Sequence, residues 1–183
     1  MAGRQTIIRS FHDVGLAAWF GGSLFGAVGL NGAAAAVNDS TDRTRVAAVG
    51  WAKWAPVNAA AIAVHAVGGI GLIVGNAGRV VGQSGTRKNT VVKSVVTVAA
   101  VGVTVYSGLQ GAKLGKQAPV PAAGATEPSA QTPPETAAAQ RQLKVLQWMI
   151  PALTGVLLVL ASQQGEQQKP GQVLKGLLPG SRS

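Results

Sequence analysis

The chain has no cysteine, few aromatic residues and few charges, and each shortage narrows the kind of protein it can be. Without cysteine there is no disulfide, iron–sulfur ligation, cysteine zinc site or thiol catalysis. Only 12% of the residues are charged, whereas a typical soluble domain has about 25%. The bulky aromatics that usually dominate a soluble core are scarce, with three Phe and one Tyr. The composition therefore favours a membrane protein.

The motifs of the common enzyme classes are missing as well. The sequence contains no HExxH, no Ser/His/Asp set and no phosphate-binding glycine loop, and its apolar segments carry no paired carboxylates. Without a carboxylate in those segments, ion-coupled transport has little chemistry to use. We therefore expect a protein that is not an enzyme.

What the chain does have is four long uncharged apolar segments, at 14–38, 55–78, 94–112 and 145–165. Each reaches the roughly 18 residues that distinguish a membrane span from a buried soluble helix. The third is rich in Val and Thr, but a lone strand cannot satisfy its backbone in lipid. The first could be a signal peptide after Arg4 and Arg9, yet it is longer than the usual h-region of about 7–15 residues. The pattern predicts an all-α polytopic membrane protein, a four-transmembrane-helix bundle.

This pattern divides the chain into five parts. We expect a cytoplasmic N-terminal segment at 1–13, three spans with short loops at 14–112, and a Pro/Ala-rich disordered extracytoplasmic linker at 113–144. The fourth span covers 145–165, and a basic cytoplasmic tail covers 166–183. Of the 16 Lys and Arg residues, nine fall on the side of the termini and seven on the other. The positive-inside rule then predicts that both termini are cytoplasmic, and we expect the protein in the plasma membrane.

Tryptophans suggest where the membrane surfaces lie. Trp51 and Trp54 precede the second segment and Trp148 opens the fourth, so we expect all three at the outer interface. Trp19 would then mark the inner interface.

Small residues recur every four positions in three of the helices, as they do where membrane helices pack closely. These candidate packing residues are Ala18, Gly22, Gly26, Gly71, Gly75, Ser107, Gly111 and Gly115. Packing within one bundle is the main interpretation and a homo-oligomer is the alternative. The net charge of +10 comes from short basic clusters between the segments. This placement predicts contact with the lipid bilayer and no nucleic-acid partner.

The two histidines are the candidate cofactor-binding residues. His65 falls near the centre of the second helix, where an ionisable residue is a functional hypothesis by default. It is either a neutral imidazole hydrogen-bonded to a hydroxyl of another helix, or a haem or copper ligand, or a proton relay. His12 falls at the membrane edge beside Asp13. Helix rise predicts about 15–20 Å between the two histidines along the membrane normal, which argues against a bis-histidine haem. No dedicated metal site is expected.

One stretch, FHDVGLAAWFGGSLF, resembles the opening of small bacterial four-helix membrane proteins related to the copper-resistance D membrane domain. The Ala/Gly/Val/Arg bias also resembles that of uncharacterised actinobacterial membrane proteins of unknown function. The resemblance implies an integral bundle that handles haem or copper, with His12 as the position carried over.

Two functions are carried forward. The first is a non-enzymatic accessory, scaffold or assembly subunit of a membrane complex, with other subunits or a second copy as partners and no cofactor. The alternative is a haem- or copper-handling membrane protein that uses His65, His12 or both.

Overall fold

The computed structural model describes residues 2–77 and 84–167, and every regular element within these ranges is a helix. Helix α1 comprises Ala2–Phe25, one π-helical turn at Gly26–Leu30 and a last turn at Asn31–Ala35. Helices α2, α3 and α4 cover Ser40–Gly75, Ser84–Gln117 and Pro134–Gln167. In the described part of the chain four helices are long and apolar enough to cross a membrane. The predicted all-α, four-helix architecture is therefore confirmed.

Each helix begins at least ten residues before the apolar segment that predicted it. Helix α2 has 36 residues, which is about 54 Å at 1.5 Å per residue, whereas the hydrocarbon core of a bilayer is about 30 Å thick. Its start is set by Asp39, whose side chain accepts a hydrogen bond of 2.8 Å from the backbone N–H of Thr41. The hydroxyl and backbone N–H of Thr41 hold the pKa of Asp39 below its ordinary value.

The helices form an incompletely closed bundle. Helix α1 packs against α2 and α4, α3 packs against α4, and α2 and α3 meet less extensively. Between them lies a core that contains Leu16, Trp19, Ala61, Ala100, Ile150 and Leu157. Large apolar side chains such as Val98 and Leu109 are exposed, as expected for helices that face lipid. The looser α2–α3 contact leaves a cavity at each end of the bundle.

Residues 113–144 differ from the predicted disordered linker. The first five end α3, the last eleven begin α4, and the residues between them form a loop bonded to α2. Ala122 N–H donates to the carbonyl of Ser40 at 3.1 Å, and the Thr44 hydroxyl lies 3.1 Å from both backbone polar atoms of Val120. These bonds satisfy the loop backbone, which composition alone does not reveal. The predicted tail covers 166–183, and its residues from 168 onward lie outside the described ranges.

The tryptophans differ in how they pack, and Trp19 departs from its predicted place. Trp19 is fully buried, and its indole N–H donates to the Thr104 hydroxyl at 3.2 Å, so it does not mark an interface. The indoles of Trp51 and Trp54 pack inside the bundle against Gly26 and Gly22. Trp148 is 49% exposed. Within the described bundle, three of the four indoles therefore serve helix packing.

Candidate functional site

The two histidines lie side by side between α1 and α2. Their ring centroids are 4.3 Å apart with an interplanar angle of 42°, and His12 and His65 are only 4% and 3% exposed. The predicted separation of about 15–20 Å, which came from helix rise, is wrong. His12 lies ten residues after the start of α1 and His65 ten residues before the end of α2, so antiparallel packing brings them to the same depth.

Two glycines allow this close crossing. A Cβ on Gly15 would lie 2.5 Å from the backbone nitrogen of His65 and 2.6 Å from the carbonyl oxygen of Ala61. A Cβ on Gly68 would lie 2.7 Å from the Cα of His12. Each helix thus carries a His-x-x-Gly pattern whose glycine faces the other helix's histidine. This repeated pattern is visible in the sequence but was not predicted to be significant.

Both rings are oriented through Nδ1. His12 Nδ1 lies 2.8 Å from a carboxylate oxygen of Asp13, and His65 Nδ1 donates to the backbone carbonyl of His12 at 3.0 Å. The partner of His65 is therefore a backbone oxygen, whereas a hydroxyl of another helix was the expectation. A histidine that binds a metal through one ring nitrogen is commonly oriented by a hydrogen bond from the other ring nitrogen to a carboxylate or a carbonyl. In both histidines Nδ1 makes this bond, so Nε2 would be the ligating atom.

A cavity of about 240 Å³ adjoins the histidines, and we call it the terminal cavity because it lies at the end where α1 begins. Arg9, Asp13 and Lys93 line it, and apolar and polar residues of α2 and α3 form the rest of the wall with Ala161 of α4. Across residues 2–77 and 84–167, no cluster of three or more His, Cys, Asp or Glu side chains could hold a metal ion. Any metal at this site would therefore depend on the two imidazoles.

A second cavity, of about 490 Å³, lies at the opposite end near the 118–133 loop, and we call it the loop cavity. Beside it, Asn31 Nδ2 donates to Gln147 Oε1 at 2.7 Å, and Trp51 Nε1 donates to Asn31 Oδ1 at 3.0 Å. Asn31 directly follows the π-helical turn, a local distortion that shifts the face on which later side chains lie. The network joins α1, α2 and α4.

Three buried polar atoms that belong to lining residues of the loop cavity have no hydrogen-bond partner among the described residues: Trp54 Nε1, Asn58 Oδ1 and Gln140 Oε1. Buried polar atoms are nearly always bonded, so each of these is exceptional. Neither the polar network nor this cavity was predicted from the sequence.

The predicted packing residues divide into three groups. Ala18 packs against the core, while Gly22 and Gly26 contact indoles of α2. Cβ atoms on Gly71 and Gly75 would lie 2.8 Å from Ile8 and 2.5 Å from Gln5, so this pair contacts α1. On α3, Ser107, Gly111 and Gly115 line the loop cavity, and a Cβ on Gly111 would have no neighbour within 4 Å.

Comparison of the chain with family models, curated proteins and solved structures finds no match. The resemblance to the copper-resistance D membrane domain stays a prediction.

Proposed function

We propose that this chain is a non-enzymatic integral membrane protein that acts as an accessory, scaffold or assembly subunit of a membrane complex. The observation that supports this most is how the buried polar side chains are used. They join helices to one another: Asn31 with Gln147, Trp51 with Asn31, Trp19 with Thr104, and His65 with the backbone of His12. Polar groups used in this way build a rigid bundle, whereas a catalytic site needs them to converge on a substrate.

The proposal includes a location and a direction. The excess of Lys and Arg on the side of the termini supports cytoplasmic termini in the plasma membrane. The terminal cavity would then open toward the cytoplasm and the loop cavity toward the outside.

A photo-crosslinking experiment tests the scaffold role. A crosslinking amino acid replaces one well-exposed valine on each helix: Val14, Val67, Val98 and Val159. Irradiation of native membranes should yield a protein adduct of discrete mass from one or two faces, because a subunit interface covers only part of the bundle. The remaining positions serve as internal controls that face lipid. Lipid adducts alone at all four positions would exclude a stable protein partner on these faces.

Copper handling is the second candidate, and it is favoured by the convergence of His12 and His65. Imidazole nitrogen suits copper, and Asp13 would orient the first ligand. The Nε2 atoms of the two histidines would hold the ion. A haem held by both histidines fits poorly, because axial ligands need a porphyrin between them and the rings are 4.3 Å apart.

Metal analysis separates the two candidates. Protein purified in mild detergent is titrated with Cu(I) against a chromophoric chelator, and its absorption spectrum is recorded. The scaffold role predicts no stoichiometric copper and no Soret band. Copper bound at one equivalent and lost in both His12→Ala and His65→Ala would favour the second candidate. Asn58→Ala, in the loop cavity, is the matched control and should not alter copper binding.

A further inference from the structure

The charged side chains of the terminal cavity lie at the edge of the apolar part of the bundle. Among the described residues that line the cavity, Arg9 and Lys93 are positive and Asp13 is negative. Lys93 belongs to α3, yet it interacts electrostatically with both Arg9 and Asp13 of α1. Asp13 and Lys93 directly precede the uncharged segments 14–38 and 94–112. The three charges therefore lie where the helices pass from lipid headgroups into hydrocarbon.

The charges of this lining do not cancel. Arg9 and Lys93 bring two positive charges and Asp13 brings one negative charge, so their sum is positive whatever bonds these side chains make with one another. A charge beside hydrocarbon is costly unless an opposite charge compensates it. An occupant with one negative charge brings the sum to zero. Phosphate oxygens suit both cations, because a guanidinium forms two parallel hydrogen bonds with them and an ammonium attracts them as a point charge.

The deeper part of the cavity is mostly apolar and open at its side. Its lining on α2 runs from Asn76 to Ala66, which is about 15 Å at 1.5 Å per residue. Ile70 of α2 and Val98 of α3 line this part, and they are 63% and 72% exposed. The cavity therefore borders the lipid-facing surface, in the gap left by the looser contact between α2 and α3. An anionic group at the mouth and an apolar opening beside it fit an amphiphile better than a free ion.

We propose that the terminal cavity binds the headgroup of a monoanionic phospholipid. The phosphodiester lies between Arg9 and Lys93, the glycerol backbone lies in the apolar part, and the acyl chains pass between α2 and α3 into the bilayer. The volume of about 240 Å³ is below the roughly 300–1,000 Å³ of pockets that enclose a whole ligand, so only the headgroup region is enclosed. Basic pockets between transmembrane helices are known to hold anionic headgroups. This binding goes beyond the accessory role, and it depends neither on that role nor on the orientation of the bundle.

Dioleoyl phosphatidylglycerol and dioleoyl phosphatidylcholine form a matched pair of probes. They share their chains and phosphodiester, but phosphatidylcholine adds a positive group that the lining repels. Native mass spectrometry of the full chain in mild detergent measures the affinity of the first bound lipid. We expect a preference of about fivefold for phosphatidylglycerol, which is the equivalent of about 1 kcal/mol for one net positive charge near an anionic lipid.

Three charge variants should change this preference in different directions. Lys93→Gln brings the sum of the lining charges to zero and should abolish the preference. Asp13→Asn retains an oxygen that can accept from His12 Nδ1, and it should raise the preference to about 25-fold because two positive charges are then uncompensated. Misfolding cannot produce such a gain. Lys113→Gln, at the other end of the same helix, is the matched control and should retain the fivefold preference.

A pair of leucine variants tests the cavity without changing its charges. Gly69 lines the cavity, and a Cβ there would lie 3.5 Å from Cδ2 of His12. Gly69→Leu should therefore fill the cavity and weaken phosphatidylglycerol binding, whereas Gly102→Leu, where a Cβ meets no atom within 4 Å, should bind like the unmodified chain. Equal affinity of the two leucine variants would overturn the proposal and leave attraction to surface charge.

Inorganic phosphate distinguishes a lipid from a free ion. An excess of phosphate should not displace phosphatidylglycerol, because the ion gains nothing from the apolar part of the cavity. Displacement by phosphate would overturn the lipid and leave a free phosphate as the occupant. Equal affinity for the two lipids, binding of neither, a preference that persists in Lys93→Gln, or one that falls in Asp13→Asn would each overturn the proposal as well.

Discussion

The close crossing of α1 and α2 at the histidines yields the sharpest stability prediction, tested by Gly15→Ala. The new methyl would lie 2.5 Å from the backbone nitrogen of His65 and 2.6 Å from the carbonyl oxygen of Ala61. Both are backbone atoms of α2, which cannot rotate away as a flexible side chain could. The helices must therefore move apart by about 1 Å to reach ordinary van der Waals separation near 3.5 Å.

The cost can be worked out from three contributions. Overpacking at a tight contact costs about 1–3 kcal/mol. Separation also weakens the bond of 3.0 Å from His65 Nδ1 to the His12 carbonyl, and such interhelical bonds contribute about 0.6–2 kcal/mol in membranes. Alanine recovers about 1 kcal/mol through its higher helix propensity. We expect Gly15→Ala to lower the free energy of unfolding by about 1–3 kcal/mol.

The assay is SDS-induced unfolding in mild detergent, followed by tryptophan fluorescence. Trp19 is a suitable reporter because its ring centroid lies 6.2 Å from that of His65. Gly21→Ala is the matched control, since a Cβ there has no neighbour within 4 Å and should be neutral or slightly stabilising. Equal stability of the two variants would refute the close crossing. Gly68→Ala should be destabilising too, and the double variant should show non-additivity, because both changes force apart the same helix crossing.

Three further predictions concern other parts of the chain. His65→Leu should cost about 0.6–2 kcal/mol in the same assay through its lost bond, and His65→Ala should cost more because it also loses packing; the reverse order would contradict the buried contact. Asp39→Ala should destabilise α2 at neutral pH. Because hydrogen bonds from Thr41 lower the pKa of Asp39 in the fold, its contribution is present above the unfolded-state pKa and is lost as the pH falls through the folded-state pKa. Melting curves across acidic pH check this, and a pH-independent difference would oppose it. Single cysteines at Ser84 and Ser129 test orientation: only position 129 should react with an impermeant reagent on intact cells, and labelling at 84 would reverse the topology.

The predicted distance between the two histidines was wrong because the helix ends were misplaced, although the four helices themselves were predicted correctly. The criterion of an uncharged segment placed the start of the second helix at residue 55, because Lys53 interrupts the uncharged run before it. The residues from Ser40 onward are helical as well, capped by Asp39. The first helix likewise begins at Ala2, so His12 lies ten residues inside it and not before its start. Antiparallel packing then places His12 beside His65, which lies ten residues before the end of α2, and the predicted distance was wrong for that reason.

The four helices could be predicted from the sequence alone because helix formation in lipid is a local requirement. A long uncharged segment must satisfy its backbone hydrogen bonds within itself, and only neighbouring residues along the chain are needed to do so. The pairing of His12 with His65, the use of Trp19, Trp51 and Trp54 inside the bundle, and the loop cavity with its unpartnered polar atoms depend on non-local contacts. Their positions follow from the relative depth of antiparallel helices and from the incomplete contact between α2 and α3, so only the tertiary structure decided them.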